Sequence, residues 1–284
     1  MPKIMVMTDT DSSLPKQLAA DYGIQQVPIR IHFDNETFTT GLDIDDRLLF
    51  EKVDQLNRLP TTSAPSPADF ISAYEAAFAQ GSDAIVCVCV SSQVSSTFSS
   101  AMTAREHFTG KEIRVIDSSN LSMAQGFMAL AAAEAASKNA SLDDIVARVE
   151  ETGKGMHTFA VLSTLKYLAL SGRVGKFVAG LADTFNIKPI LKVKDGKLDL
   201  LEKIRTRKKA IDRMISLLNE SVQGKKIKRV AVIHVNDPQG AVELEILLRA
   251  ALPFSEKMII TEFTPGLSVH AGSGVVGVVV QTGE

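Results

Sequence analysis

The sequence predicts an α/β protein of two lobes, and three observations carry that prediction. Apolar runs of strand length alternate with amphipathic stretches of helix length through the first half, the pattern of a parallel sheet covered by helices on both faces. Near residue 155 the order changes, and Lys194-Asp195-Gly196-Lys197 between two apolar runs signals an antiparallel hairpin, hence a mixed sheet. The charge changes with it. Residues 1–155 hold 12 Lys and Arg against 21 Asp and Glu, a net of -9, whereas residues 156–284 hold 19 against 12, a net of +7.

The elements follow in order. Lys3–Met7 reads as a buried strand, Leu14–Tyr22 as a helix capped by Ser12 or Ser13, and Val27–Phe33 as a strand opened by Pro28. Asp43–Leu56 and Pro67–Ala79 read as helices, the second with Ser66 as N-cap and Pro67 in its first turn. Ala84–Val90 is the clearest buried strand, followed by a helix over Thr97–Phe108, a strand over Ile113–Ile116, and helices over Leu121–Lys138 and Leu142–Gly153. The second lobe, 156–284, opens with a strand near Phe159–Leu162 and a short helix, Thr164–Leu170. Pro189–Val193 and Leu198–Ile204 form the hairpin; Lys208–Ser221 and Gln239–Ala251 are helices; Arg229–Val235, Met258–Phe263 and Val275–Gln281 are strands. There is no internal repeat and no Pro- or Ser-rich linker, so the lobes are expected to join tightly.

Composition removes several classes. With 45% hydrophobic and 23% charged residues the chain is an ordinary globular mixture, and no run approaches the roughly 20 apolar residues of a membrane span. The opening residues reach Asp9 and Asp11 without a signal-peptide core, which predicts a cytoplasmic protein. Cys87 and Cys89 are the only cysteines, and two apart on a strand they face one way as apolar filler; no disulfide or metal site is expected. The basic run Arg205-Thr-Arg207-Lys208-Lys209 lacks aromatic company, with 3 Tyr and no Trp in the chain, so no nucleic-acid partner is expected.

Three hydroxyl clusters stand where chemistry gathers in a parallel sheet, near the carboxyl ends of strands or before helix starts. They are Thr61-Thr62-Ser63-Ala64-Pro65-Ser66, Ser91-Ser92-Gln93-Val94-Ser95-Ser96, and Asp117-Ser118-Ser119-Asn120. Ser66 is explained as a cap, whereas Thr62 and Ser63 are not. None of the clusters carries Lys or Arg, so an anion held there would meet neutral donors, which favours a singly charged carboxylate over a polyphosphate. His270 stands in a glycine-rich turn, and Gly272-Ser-Gly-Val-Val-Gly277 matches a dinucleotide fingerprint in letters only, because a strand follows where that motif needs a helix.

Two enzymatic readings compete. Asp9-Thr10-Asp11 after the first strand imitates the nucleophile motif of haloacid dehalogenase-type magnesium phosphatases. Ser95, His270 and Asp117 could compose a hydrolase triad, although no nucleophile-elbow motif surrounds the serine.

In register over essentially the whole chain, Thr8-Asp9-Thr-Asp-Ser12, Thr62-Ser63-Ala-Pro65-Ser66, Ser91–Ala101, Asp117-Ser118, Leu170-Ser-Gly-Arg173-Val174, Lys188-Pro189-Ile-Leu191, Lys203-Ile-Arg205-Thr206 and His270-Ala-Gly272-Ser-Gly274-Val-Val-Gly277 resemble the DegV family of bacterial fatty-acid-binding proteins, which includes the FakB subunit of fatty acid kinase. The resemblance implies a long-chain acyl group buried between two α/β lobes. It implies a carboxylate held by Thr62, Ser95 and His270, with Ser63 and Ser92 as neighbours, and no cofactor or catalysis of the protein's own. It implies a separate ATP-dependent kinase as partner, docking through Arg173 and Arg205, with transient contact at a membrane surface. Three positions depart from the family pattern: Ser96 replaces a glycine, Ala64 a glutamine, and Thr10 a serine. Ser96 requires a backbone conformation open to a side chain.

Overall fold

The computed structural model describes residues 3–173 and 187–283. Val174, the end of one quoted motif, lies outside the described residues.

The first sheet is parallel, in the order β2-β1-β6-β7, built from β1 (Ile4–Asp9), β2 (Ile24–Val27), β6 (Ala84–Cys89) and β7 (Glu112–Asp117). Strand alternation divides its side chains between two helical layers. Met7, Ile85, Cys87 and Cys89 pack with α3 (Pro67–Ala79) and α4 (Thr97–Glu106). Val6, Val86 and Val88 face the opposite way, toward α5 (Met123–Ser137) and α6 (Leu142–Lys154). The two cysteines share one buried face with sulfurs 3.7 Å apart, as expected of filler. The hydrogen bond with the Cys87 thiol, together with burial, pushes the Cys89 thiol well up, so it stays protonated.

The expected single strand over Val27–Phe33 divides instead. β2 ends at Val27, Pro28 offers no N–H to extend the ladder, and the chain turns into a separate antiparallel sheet. That sheet has the order β4-β3-β5, from β3 (Arg30–Phe33), β4 (Glu36–Thr39) and β5 (Thr61–Ser63). The expected serine cap on the first helix is also absent: α1 (Lys16–Asp21) starts after Pro15 without a side-chain cap. Asp9 instead caps the tight turn Thr10–Ser12. α2 (Asp46–Leu56) lies between β4 and β5 in the chain, capped by Asp45.

The second sheet is mixed, in the order β10-β9-β8-β13-β11-β12. β8 (Met156–Val161), β9 (Lys188–Lys194), β10 (Lys197–Ile204), β11 (Ile227–His234) and β13 (Val276–Thr282) pair antiparallel, and β12 (Ile259–Glu262) joins β11 in parallel. α8 (Arg207–Val222) and α9 (Pro238–Ala251) cover one face. α7 (Lys166–Ser171) and α10 (Pro265–Ala271) lie toward the first lobe. The chain passes from α6 to β8 through Gly155, where a Cβ would fall 2.1 Å from the carbonyl oxygen of Thr282. Only glycine permits that approach.

α5 joins the halves. It packs on β1 and β6 of one sheet and on β8, β11 and β13 of the other, and its residues from Met123 to Ala133 are buried all round. Glu134 at its end pairs with Arg229 of β11, one acidic-lobe carboxylate on one basic-lobe guanidinium. No helix of the described residues is long and apolar enough to cross a membrane.

Candidate functional site

A cavity of about 550 Å³ lies between the two sheets, within the roughly 300–1,000 Å³ usual for small-molecule sites. Thr62, Ser63, Ser95 and His270 all line it, although they come from three separate stretches of chain. Leu162, Leu191, Leu198, Ile233, Phe263 and Val275 supply much of the apolar wall.

Each polar group is held by its local structure. Thr62 and Ser63 lie on β5, in register with Ile31 and Arg30 of β3. Just beyond, Ser66 and Asp69 form a reciprocal capping box that starts α3, and Asp69 takes two hydrogen bonds from the Arg30 guanidinium at 2.7 and 2.6 Å. Those donors hold the Asp69 carboxyl well below the usual carboxylate range. The strand that presents Thr62 is therefore pinned at its C-terminal end. Ser95 lies just before α4: its Oγ accepts from the Thr97 N–H at 3.3 Å and lies 2.8 Å from the Thr97 hydroxyl. The loop before it is tied down by Val90 N–H donating to Asp9 and by Ser91 Oγ donating to the carbonyl of Gly196 in the β9–β10 turn. Ser96 has φ -83°, ordinary for any residue, so a serine in place of the family glycine fits without strain.

His270 is corrected from a glycine-rich turn to the last turn of α10, which starts with Pro265 and ends before Gly272 at φ 82°. Its Nε2 lies 3.0 Å from the Thr62 hydroxyl, across 208 residues of sequence. Its Nδ1 is buried with no hydrogen-bond partner among the described residues. Burial, aided by the charge of Arg173, pushes the imidazole down to about 4, so the ring is neutral at pH 7. Arg173 is exposed and lines the same cavity, with Nη1 donating to the Ser171 carbonyl at 2.6 Å. It is near enough to His270 for its charge to act on that ring.

Ser92 stands apart. It is exposed and outside the cavity wall, and its N–H donates to Asp117 at 3.2 Å. Arg205 is also exposed and outside the wall. Its neighbour Arg207 is occupied internally, with Nη1 donating to the Gly274 carbonyl at 2.7 Å and Nη2 paired with Asp237, so the basic run is not one uniform patch.

Both enzymatic expectations fail on geometry. Asp9 is fully buried, with one carboxyl oxygen accepting from Asp11 N–H and the other from Val90 N–H and Gln125 Nε2. Those three donors tie Asp9 into the fold as a clamp, and of the two carboxyls only Asp11 reaches the cavity wall. The triad does not assemble either, because Ser95 bonds Thr97, His270 bonds Thr62, and Asp117 accepts from the N–H groups of Ser92 and Ser119.

Sequence reading missed other wall residues. Ser96 and Ser100 also line the cavity, one turn apart at the start of α4, and Thr158, Ala160 and Leu162 line it at the two-residue spacing of a strand face. Both spacings are present in the sequence.

The model of the DegV family matches residues 3–283. This chain belongs to the DegV family. A DegV domain-containing protein of Mycobacterium tuberculosis is 36% identical over 282 residues, covering 99% of this chain and 98% of that one. DegV of Bacillus subtilis, solved as a fatty acid binding protein, superposes with a TM-score of 0.88 at 32% identity over 100% of both chains. A fatty-acid-binding DegV family protein of Thermus thermophilus superposes with a TM-score of 0.92 at 28% identity, over 99% of this chain and 100% of its own. The two-lobe α/β architecture of this DegV-family chain is the one those structures share.

Proposed function

We propose that this DegV-family chain, dividing into lobes at Gly155/Met156, binds a long-chain fatty acid between them and carries it without turnover of its own. Thr62, Ser95 and His270 hold the carboxylate, Ser63 stands beside them, and Ser92 takes no part. The observation that carries this reading is the cavity wall itself: hydroxyls and a neutral histidine together with branched aliphatic side chains from both lobes. Acyl burial supplies affinity at about 0.8 kcal/mol per CH₂, and hydroxyl donors offset the desolvation of a single charge. The charge of Arg173 adds attraction.

The carboxylate is then presented to a separate ATP-dependent kinase for acyl-phosphate formation, with Arg173 and the exposed Arg205 meeting that partner. The relatives' fatty-acid binding and the basic second lobe support this reading. Native mass spectrometry of the purified protein, followed by denaturing extraction, tests the carrier function. A bound mass equal to a long-chain fatty acid is expected. An apo mass that persists after incubation with such acids would overturn it.

A further inference from the structure

α10 belongs to the second lobe by sequence yet packs largely on the first, against α2, β3, β5 and the turn after β1, with α7 as its second-lobe neighbour. Two buried carboxyls of the first lobe hold it there. Ser268 Oγ donates to Asp46 Oδ2 at 2.7 Å, with both residues 0% exposed, and Thr264 Oγ1 donates to Asp11 Oδ1 at 3.2 Å. Between those contacts Gly266 lies so close to the first lobe that a Cβ would fall 2.5 Å from Asp11 Oδ1 and 3.1 Å from Ile29. The contacts are directional, with hydroxyl donors on the second-lobe segment and acceptors on the first. Thr261 repeats the pattern upstream, donating to the carbonyl of Ser13.

The polar support of His270 is thin by contrast. Among the described residues its ring makes one hydrogen bond, to Thr62, and Nδ1 makes none, so the position of Nε2 depends on the helix that carries it. Ser268 lies two residues from His270 on that helix and is its nearest anchor to the first lobe. Phe50 of α2 meets Tyr167 of α7 edge-on at 6.4 Å between ring centres, and Tyr167 in turn covers Gly272 at the end of α10. α2 thus supports α10 directly through Asp46 and its C-terminal end indirectly through Phe50.

We propose that Asp46 is a positioning residue for the carboxylate site: through Ser268 it fixes α10 so that His270 Nε2 stays at Thr62, 224 residues and one lobe away from Asp46 itself in sequence terms. This deepens the fatty-acid reading and rests on it. Asp46 touches no ligand in this scheme and acts only through the helix.

The test separates head-group positioning from general loosening by comparing a long-chain fatty acid with the alcohol of equal chain length. Asp46→Ala is expected to weaken the acid about tenfold, the effect of one well-placed hydrogen bond, and to leave the alcohol within about twofold. Asp46→Asn, whose side-chain carbonyl still accepts from Ser268, is expected to restore most of the acid affinity. Should Asp46→Ala fail to fold, Ser268→Ala removes the same bond from the donor side and carries the same expectation. Equal losses for acid and alcohol, beside a His270→Ala variant that loses the acid alone, would overturn the positioning role. A His270→Ala variant that keeps the full preference for acid over alcohol would overturn the site reading and this proposal with it.

Discussion

Two hydroxyl clusters meet α10, and they differ in who supplies the carboxyl. On the first-lobe side, Thr264 and Ser268 donate to Asp11 and Asp46, so donor and acceptor both belong to the chain. On the cavity side, Thr62, Ser63, Ser95 and His270 bring hydroxyls and a neutral ring, and no carboxylate of the described residues bonds them. Neither cluster uses a cationic hydrogen-bond partner for its carboxyl chemistry. The internal cluster holds two buried carboxyl groups by neutral hydroxyl donors in a dry setting, and burial raises both of those carboxyls above the usual range.

The difference can be attacked from its strongest side first. Thr62→Ala combined with Ser95→Ala is expected to weaken fatty-acid binding about 100-fold or more, at roughly 1.5–3 kcal/mol for each hydrogen bond to a charged group. Displacement of a fluorescent fatty acid measures it, and lipid retained at wild-type levels through purification would refute the assignment.

Next comes the internal cluster. Burial pushes the Asp46 carboxyl up to about 8, from 3.8 when unfolded, opposed in part by the Ser268 hydrogen bond. Between those values the unfolded chain has released the proton and the folded chain keeps it, so stability from this group is full below about pH 4 and is lost as pH rises toward 8. Denaturant titrations across that window are expected to show wild type losing roughly 1–2 kcal/mol relative to Asp46→Asn, after relaxation around the charge is allowed for. Parallel pH curves for the two proteins would contradict the buried acid.

His270→Ala is expected to cost about tenfold in affinity for the acid, the worth of one hydrogen bond. Its imidazole, held down to about 4 in the free protein, is expected to titrate higher once a carboxylate lies beside it. Nuclear magnetic resonance of the ring with and without ligand reads this directly; an unmoved titration would place the carboxylate elsewhere. The smallest effect belongs to Arg173→Ala, roughly threefold on binding and diminishing with salt. Arg205→Ala should leave lipid binding unchanged while impairing phosphorylation with a kinase, and lipid loss in that variant would contradict its placement outside the wall.

Much of the scaffold is legible in the sequence because its signals are local and repeated. The all-buried run Ala84–Cys89 and the Ser66-Pro67 helix start need no distant partner to be recognised. The small sheet is hidden because β5 has three hydroxyl-bearing residues and no apolar alternation, while Pro28 masks the end of one strand and the approach to another. The α10 signals, Pro265 near the start and Gly272 past the end, are present but obscured by neighbouring glycines that suggest a turn. The hydroxyls of the site can be read as residues without a structural explanation. That Thr62 meets His270, or Asp46 meets Ser268, depends on how the second lobe docks, and nothing local in the chain records it.

The burial of α5 has a consequence for modularity. A helix enclosed by both sheets belongs to neither lobe alone, since its Phe127 and Met128 sit in one apolar cluster with Val86 of the first sheet and Ile233 of the second. Severing the chain at Gly155 would leave each fragment with a wide greasy face and no cover for it. Such halves could not be handled as independent parts without exposing that face.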